Sequence, residues 1–331
     1  MKILVTGGAG FIGSHVVDEY INLEHEVVII DNLSTGKKEN LNPKAKFYKV
    51  DIRSDKVDEI FRKEKPEIVN HHAAQISVRT SVENPVLDAD CNILGTLKLL
   101  ENSIKYKVRK FIFISTGGAI YGDTEEYPTS ENATPSPLSP YGISKLTCEK
   151  YLYFYKLINN LDFTVLRYSN VYGPRQIPHG EAGAISIFIE NILSNKISKL
   201  YHYDDDKEGE GMERDYCYVK DVVASNVLAL NKGSGEVINI GTGIPTKTSK
   251  IYDLIYKNIS SRVKITNCAL KKPVRAGPRI GDLKKSCLNI DKAKKILGWE
   301  PKYSLETGIK ETVEWFVARD FERSEKMADK S

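Results

Sequence analysis

The sequence lacks the features that mark several large classes of protein. Its 331 residues contain no apolar stretch of membrane-spanning length, and the net charge of +4 comes without a basic stripe interleaved with aromatic residues. The five cysteines lie far apart with no C-x-x-C pair, and the six histidines show no metal-ligand spacing. We therefore expect a cytoplasmic protein with reduced thiols, no metal, and neither nucleic acid nor membrane as a partner.

The first thirteen residues, MKILVTGGAGFIG, predict a strand, a tight turn and a helix. Four glycines fall within seven positions, and glycine lets a backbone turn tightly and approach a pyrophosphate closely. The helix that follows offers free N–H groups and the positive end of its dipole to that anion. A second apolar run ends in Asp31, eighteen residues after Gly13, where a carboxylate accepts hydrogen bonds from an adenosine ribose and repels a 2′-phosphate. A purely structural turn is the alternative, but the combination favours NAD binding over NADP binding.

Strand and helix signals alternate along the first half of the chain, which predicts a parallel sheet. Beyond the first two strands, apolar runs predict strands at 47–50, 67–69, 110–115, 163–166 and 236–240. The predicted fold class is therefore α/β, a doubly wound, parallel Rossmann-type sheet with a smaller, mixed α/β C-terminal substrate domain. We place the NAD-binding domain at 1–173, with a return of about 214–243 to it, the substrate-binding domain mainly at 174–320, and a frayed, charged tail at 321–331.

Tyr141 and Lys145 lie four residues apart at the start of a predicted helix, so they share one helix face. An ammonium beside a phenol favours the phenolate, which lowers a pKa that is ordinarily about 10 and gives a usable base near neutral pH. The same spacing follows Tyr106, Tyr203 and Tyr216, where a surface pair is the simpler interpretation. Tyr141 is preferred because it follows the fifth strand and a loop long enough to cross the carboxyl ends of the sheet, where ligands bind.

Taken in order, these motifs resemble the extended short-chain dehydrogenase/reductase family over nearly the whole chain. The resemblance is carried by Gly7-Gly8-Ala9-Gly10-Phe11-Ile12-Gly13, Asp31-Asn32, Asp51-Ile52, His72-Ala73-Ala74-Gln75, Tyr141-x-x-x-Lys145, Arg214-Asp215-Tyr216 and Asn239-Ile240-Gly241-Thr242-Gly243. It implies tightly bound NAD. The residues that it implies for the cofactor are Gly7, Gly10, Phe11, Ile12, Gly13, Asp31, Asn32, Ser34, Thr35, Gly36, Asp51, Ile52, Ala73, Ala74, Gln75, Asn92, Tyr141, Lys145 and Tyr168.

Within the family, the chain is most similar to the enzymes that interconvert UDP-glucose and UDP-galactose. This similarity implies that Tyr141 takes the proton of the sugar 4-hydroxyl while the C4 hydride passes to NAD, and that the hydride returns to the opposite face of the 4-keto sugar. Lys145 would hold the nicotinamide ribose. The residues implied for the UDP-sugar are Thr116, Asn170, Tyr203, Arg214, Arg279, Asp282 and Ser286. Of these, the arginines are expected to bind the phosphate oxygens, and Asp282 is expected to hydrogen-bond the uridine ribose. Tyr203 would either stack on the uracil or have only a packing role.

One departure from the family pattern concerns the third catalytic residue. The family usually has Ser or Thr four positions before the tyrosine at 121, but this chain has Gly117 there, so we expect Thr116 to supply the hydroxyl, with Ser115 as the weaker candidate. The loop also lacks the acidic residues that related dehydratases and decarboxylases carry. Ser286 stands where a bulky residue restricts the sugar pocket in the family, which predicts that N-acetylated UDP-sugars are also accepted.

Two alternative functions and a homodimer are also expected from the sequence. Inversion of C4 in UDP-glucuronate is the nearest alternative, with Arg79 or Arg175 receiving the carboxylate, and a non-catalytic dinucleotide-binding sensor is a minor one. The resemblance also implies a homodimer, formed by a four-helix bundle from the helix at about 85–106 and the helix that begins at Tyr141.

Overall fold

The computed structural model describes residues 1–178, 183–279 and 282–328. Its strands are β1 (Lys2–Thr6), β2 (Glu26–Asp31), β3 (Lys46–Lys49), β4 (Ile68–His71), β5 (Lys110–Thr116), β6 (Asp162–Tyr168), β7 (Asn170–Tyr172), β8 (Lys199–Tyr201), β9 (Glu213–Tyr218), β10 (Glu236–Ile240), β11 (Pro245–Lys247), β12 (Val274–Ala276) and β13 (Lys285–Ser286). Its helices are α1 (Phe11–Asn22), α2 (Lys56–Glu64), α3 (Val78–Glu83), α4 (Pro85–Ala89), α5 (Gly95–Lys105), α6 (Gly117–Ile120), α7 (Pro140–Asn159), α8 (Ala184–Leu193), α9 (Val219–Ala229), α10 (Thr248–Ser260), α11 (Asp291–Leu297) and α12 (Leu305–Ala328).

The main sheet is built from the strands that the sequence predicts. Its order is β3-β2-β1-β4-β5-β6-β10, and every neighbouring pair is parallel. The order reverses between β1 and β4, and in such sheets ligands bind beyond the carboxyl ends of the strands at the reversal. The predicted doubly wound α/β fold is thereby confirmed, and the glycine turn lies at the reversal.

The strands of this sheet are apolar on both faces because helices cover both sides. Ile3 and Val5 of β1 pack into the cluster that contains Tyr20 of α1, whereas Leu4 faces the opposite cluster with Phe61 of α2. All five side chains are fully buried. Each such side chain stabilises the fold by about 1.5–3 kcal/mol. This packing fixes where β1 and β4 end, and therefore where the glycine turn lies.

A smaller mixed sheet lies beside the main one. In it β9 pairs with β7 and β13 in parallel and with β11 antiparallel, while β8 and β12 form a separate parallel pair. The register places Thr246 and Ser286 on either side of Arg214. Within the predicted return at 214–243, β10 joins the main sheet and β9 belongs to the smaller one, so the proposed division into 1–173 and 174–320 stays a prediction.

Two local features differ from the sequence expectations. The predicted helix over 85–106 consists of α4, a π-helical turn at Asp90–Leu94, and α5. The tail predicted to fray at 321–331 is helical as far as 328, where α12 ends; residues 321–328, FERSEKMA, include no glycine or proline and several good helix formers. Residues 329–331 lie outside the described part of the chain. Among the described residues, no helix combines the length and the apolar character needed to cross a membrane.

Candidate active site

The glycine turn between β1 and α1 is closely packed against the backbone. Gly7 has φ +69°, and a Cβ added to it would lie 2.7 Å from the amide nitrogen of Ala73. A Cβ on Gly13 would overlap the carbonyl oxygen of Gly7. Gly10 is the N-cap of α1 and brings no side chain to that helix end. The first-turn N–H groups of α1 are thus left without a side-chain cap, which suits the pyrophosphate of a dinucleotide.

The end of β2 provides the acidic residue that the sequence predicts. Asp31 accepts hydrogen bonds from the backbone N–H groups of Ala9 (3.0 Å) and Leu33 (2.7 Å), and burial raises its pKa. A Cβ on Gly36 would lie 2.9 Å from an oxygen of this carboxylate, so Gly36 leaves room beside it. Ser34 and Thr35 in the same loop are exposed. The arrangement fits a dinucleotide whose ribose approaches Asp31.

The end of β3 holds a second carboxylate, but this one already has partners. Asp51 accepts hydrogen bonds from the Arg53 guanidinium at 2.7 and 2.8 Å and from Nδ2 of Asn32 at 2.9 Å. The Arg53 guanidinium holds the pKa of Asp51 far below its usual range. The neighbouring Ile52 is buried. Asp51 therefore stays ionised and positions Asn32 beside Asp31.

The segment after β4 is held by Asn92 from the π-helical turn. Asn92 accepts a hydrogen bond from the Gln75 N–H (2.8 Å) and donates one to the Gln75 carbonyl oxygen (3.0 Å). The Ala73 N–H donates to Oγ1 of Thr6 at 3.2 Å, which ties this segment to β1. Ala73, Ala74, Gln75 and Asn92, all expected to contact the cofactor, thus lie together at the carboxyl end of β4.

A buried carboxylate that the sequence analysis missed joins this segment to α7. Asp88 is fully buried and accepts hydrogen bonds from Gln75 Nε2 (2.9 Å), Asn92 Nδ2 (3.0 Å) and Ser144 Oγ (2.6 Å). These three donors are uncharged and do not neutralise the carboxylate, whose charge raises the pKa of the neighbouring Lys145. The position carries no signal in the sequence, because Asp88 lies in a helix where an acidic residue usually faces solvent.

Tyr141 and Lys145 lie in the first turns of α7, as predicted, but their electrostatics differ from the prediction. Lys145 is 4% exposed and donates from Nζ to the carbonyl oxygen of Ile114 at 2.9 Å, above the ring of Phe113. Burial lowers the pKa of Lys145 to about 8, and the charge of Asp88 opposes this lowering without reversing it. Burial, and less strongly Asp88, raises the pKa of Tyr141 well above its usual range. The expected lowering of the Tyr141 pKa by Lys145 is therefore wrong for this structure, since the ammonium points at the β5 backbone.

Thr116 ends β5, and its hydroxyl faces the same space as Asn170. A Cβ added to Gly118 would lie 3.9 Å from Oγ1 of Thr116 and 4.0 Å from Oδ1 of Asn170. Ser115, the weaker candidate, is buried and donates its hydroxyl to Glu149 at 2.6 Å. Of the two hydroxyls, only that of Thr116 shares this space with a residue expected to bind the substrate.

The Glu149–Arg167 ion pair, which the sequence analysis also missed, lies directly beneath the segment 115–121. Glu149 accepts hydrogen bonds from Arg167 Nε (3.0 Å) and Nη2 (2.6 Å), and both side chains are about 95% buried. Arg167 also donates from Nη1 to the hydroxyl of Tyr121 at 2.7 Å, which in turn donates to Asn239 of β10 at 2.8 Å. The pair thus connects α7 with both ends of the segment 115–121 and, through Tyr121, with the edge strand β10.

The residues expected to bind the UDP moiety lie in and beside the smaller sheet. Arg214 is half-buried in β9, next to Ser286, and donates to the Glu213 carbonyl oxygen at 2.8 Å. Arg279 donates from Nε to Asp282 at 3.1 Å, and the hydroxyl of Tyr203 donates to the Asp282 carbonyl oxygen. Tyr203, Arg279 and Asp282 are thus brought together, while Ile280 and Gly281 lie outside the described residues.

Three other residues that the sequence singles out are engaged elsewhere. Tyr168 is 4% exposed, packs in the core and accepts a hydrogen bond from Asn226 at 2.6 Å, so its side chain does not reach the cleft. Arg79 pairs with Glu83, and Arg175 pairs with Asp18, both at 2.8 Å. In the described part of the chain, no three His, Cys, Asp or Glu side chains are grouped as metal ligands.

Comparison with known proteins identifies relatives over almost the whole length. The UDP-glucose 4-epimerase of Mycolicibacterium smegmatis is 41% identical over 323 residues, which cover 96% of this chain and 98% of the relative. The crystal structure of UDP-glucose 4-epimerase from Thermotoga maritima with UDP-glucose matches with 50% identity and a TM-score of 0.89, covering 96% of this chain and 99% of that one. The crystal structure of a Thermus thermophilus UDP-glucose 4-epimerase complex with NAD matches with 43% identity and a TM-score of 0.87, covering 96% and 99%.

The family assignment follows from these matches and from the geometry above. The model of the NAD dependent epimerase/dehydratase family matches residues 3–241, which contain the glycine turn, Asp31 and the Tyr141–Lys145 pair. The predictions of an enzyme, of this family and of NAD as its cofactor are confirmed. The chain is a member of the NAD dependent epimerase/dehydratase family.

Proposed function

We propose that this protein interconverts UDP-glucose and UDP-galactose by inverting C4 of the sugar with NAD as cofactor. The observation that carries the proposal is the shared space in front of Gly118, where the hydroxyl of Thr116 and the amide oxygen of Asn170 converge. Arg214 and Ser286 lie as neighbours in the smaller sheet, and the relatives reported above bear the name UDP-glucose 4-epimerase.

In the proposed mechanism, the glycine turn and Asp31 would hold NAD, which would supply the acceptor for the C4 hydride and the donor for its return. Tyr141 takes the proton of the 4-hydroxyl and gives one back to the 4-oxygen, while Thr116 hydrogen-bonds that oxygen. Burial opposes the phenolate of Tyr141, so its work as a base needs a nearby positive charge. Lys145 lies one helical turn away on the same face, but its ammonium donates to the Ile114 carbonyl oxygen, so it would have to turn toward Tyr141 to supply that charge. Arg214, Arg279 and Asn170 bind the diphosphate and keep it in place while the 4-keto sugar rotates to present its opposite face.

Tyr141→Phe tests this mechanism with a readout for binding as well as for turnover. We expect Tyr141→Phe to lose turnover of UDP-galactose by at least about 10²-fold, because the proton acceptor is gone, and to keep its bound NAD. Tyr153→Phe on the exposed face of the same helix is the matched control and should leave both unchanged. Full activity of Tyr141→Phe would contradict the role of Tyr141 as the proton acceptor, whereas an unaltered protein that binds NAD but turns over no UDP-sugar would support the sensor interpretation.

The sugar range is a further part of the proposal. Ser286 is a small residue beside Arg214, so we propose that UDP-N-acetylglucosamine and UDP-N-acetylgalactosamine are also substrates. Ser286→Tyr should abolish turnover of the acetamido sugars and spare UDP-galactose, as measured by separating the products chromatographically. If the unaltered protein turns over no acetamido sugar, the proposal that it accepts N-acetylated substrates is contradicted.

Epimerisation of UDP-glucuronate is the second candidate function. The arginines considered for its carboxylate, Arg79 and Arg175, each pair with a carboxylate of this chain, which favours a neutral sugar. Incubation with UDP-glucuronate alone measures this directly. Product from UDP-glucuronate and none from UDP-galactose would make the acidic sugar the substrate.

We also propose a homodimer formed through the helix predicted at about 85–106, now α4, the π-helical turn and α5, together with α7. Large apolar side chains are exposed on α4, on the π-helical turn and on α7: Val86 (77%), Leu94 (56%), Ile143 (52%), Phe154 (49%), Leu157 (64%) and Ile158 (68%). A row of this size is costly to leave in water, and a second copy of the same face would cover it.

A further inference from the structure

Gly117 is opposed by a residue from a distant part of the chain. A Cβ added to Gly117 would lie 2.5 and 2.7 Å from the two terminal methyl carbons of Leu288 and 3.1 Å from its branching Cγ. Real Cβ atoms do not approach other carbons so closely. Rotating the Leu288 isopropyl group exchanges the methyls but leaves Cγ in place. Leu288 therefore occupies the space that any side chain at position 117 needs.

The backbone around Leu288 is fixed, so the residue cannot retreat easily. Thr129 donates its N–H to the Cys287 carbonyl oxygen at 2.9 Å, and Asn289 donates its N–H to the Thr129 carbonyl oxygen at 2.8 Å. The Leu288 side chain is 1% exposed and packs with Tyr121 and Ala133. Because Thr129 holds the backbone before and after Leu288, and the enclosed Leu288 side chain has little room to rotate away, we expect a larger residue at 117 to displace α6.

The displacement would reach the reacting groups. Gly117 begins α6, Thr116 is its N-cap residue, and the carbonyl oxygen of Ala119 lies 2.6 Å from where a Cβ on Gly142 would be, directly after Tyr141. Movement of α6 therefore shifts Thr116 relative to Tyr141. Misplacement of a reacting group by about 1 Å costs about 10²-fold in rate.

We propose that Leu288 is a positioning residue: by filling the space above Gly117 it holds α6 so that Thr116, and not position 117, presents the hydroxyl to the sugar 4-oxygen. This inference rests on the proposed function, because it concerns which residue presents a hydroxyl to the sugar 4-oxygen. It also gives the 286–288 segment two roles, since Ser286 lies beside Arg214 and Leu288 lies against Gly117 at the start of α6.

The test moves the hydroxyl from one position to the other. Gly117→Ser alone should lower kcat for UDP-galactose by about tenfold or more with little change in KM, because the serine collides with Leu288. Leu288→Ala opens the space, so Gly117→Ser combined with Leu288→Ala should recover most of that kcat. Thr116→Val should lose about 10²-fold in kcat in the unaltered protein and less than about threefold in the Gly117→Ser/Leu288→Ala background, where the serine takes over.

Bound NAD and the thermal midpoint, measured for each variant, show that the fold and the cofactor are retained. Equal activity of Gly117→Ser and the unaltered protein would overturn the inference, since Leu288 then blocks nothing. An equal loss from Thr116→Val in both backgrounds would overturn it too, because it is what a merely structural Leu288 predicts. Full activity of Thr116→Val in the unaltered protein would instead contradict the proposed role of Thr116, and absence of any epimerisation by the unaltered protein would contradict the proposed function.

Discussion

Removing the buried charge of Glu149 is expected to lower the stability of the fold near the active site substantially. Glu149 accepts two hydrogen bonds from Arg167 and one from Ser115, and all three side chains are buried. Glu149→Gln keeps the shape but leaves the Arg167 guanidinium buried without its counter-charge. Breaking such a pair from one side costs about 3–5 kcal/mol.

This free energy sets the expected size of the measurement. In a protein of this size, 1 kcal/mol corresponds to about 2 °C in Tm, so Glu149→Gln should lower Tm by about 6–10 °C. Because Ser115 precedes Thr116 and Arg167 holds Tyr121, the 115–121 segment, which contains α6, should loosen as well. We therefore expect kcat to fall by about tenfold or more at a temperature where the variant is still folded.

Thermal unfolding followed by circular dichroism measures the stability, with Glu314→Gln as the matched control. Glu314 pairs with Arg262 at 2.6 Å on the surface, where its side chain is 46% exposed, and such pairs contribute at most about 1 kcal/mol. The control should shift Tm by about 2 °C or less. A Tm change for Glu149→Gln no larger than that of the control would refute the reasoning.

Three further predictions concern the cofactor turn, the charge of the lysine and the dimer. Gly7→Ala should lose bound NAD, measured by the absorbance of released cofactor, because its φ of +69° and the neighbouring backbone exclude a methyl group; Gly277→Ala, where nothing lies within 4 Å, should retain it. Asp88→Asn should lower the pKa of Lys145 further below about 8, because a carboxylate that favours the ammonium is removed, and the alkaline limit of kcat/KM should move to lower pH; an unchanged pH profile would contradict this. Phe154→Glu should convert the proposed dimer to a monomer in light scattering, and a mass unchanged from that of the unaltered protein would argue against this interface.

The features that local sequence patterns determine could be predicted. The strands of the main sheet are apolar runs between turns, the glycine turn needs conformations that only glycine adopts freely, and Asp31 follows from its place at the end of the second strand. The alternation of strands and helices with right-handed connections predicts a parallel, doubly wound sheet. These rules depend on residues close together in the chain.

The features that depend on distant contacts could not be predicted. Gly117 and Leu288 are 171 positions apart, and nothing in either segment indicates that one fills the space of the other. The direction of the Lys145 side chain is likewise set by a carbonyl group of β5. Glu149 did carry a signal, since it follows Tyr141 and Lys145 at steps of four on one helix face, where a buried charge needs a partner.

The most direct test of the central claim is to incubate the purified protein with UDP-galactose, without added NAD, and to resolve the products by chromatography. The proposed function predicts that UDP-glucose forms and that the reaction approaches the same mixture from either sugar. No product from UDP-galactose, even after NAD is supplied, would contradict the claim.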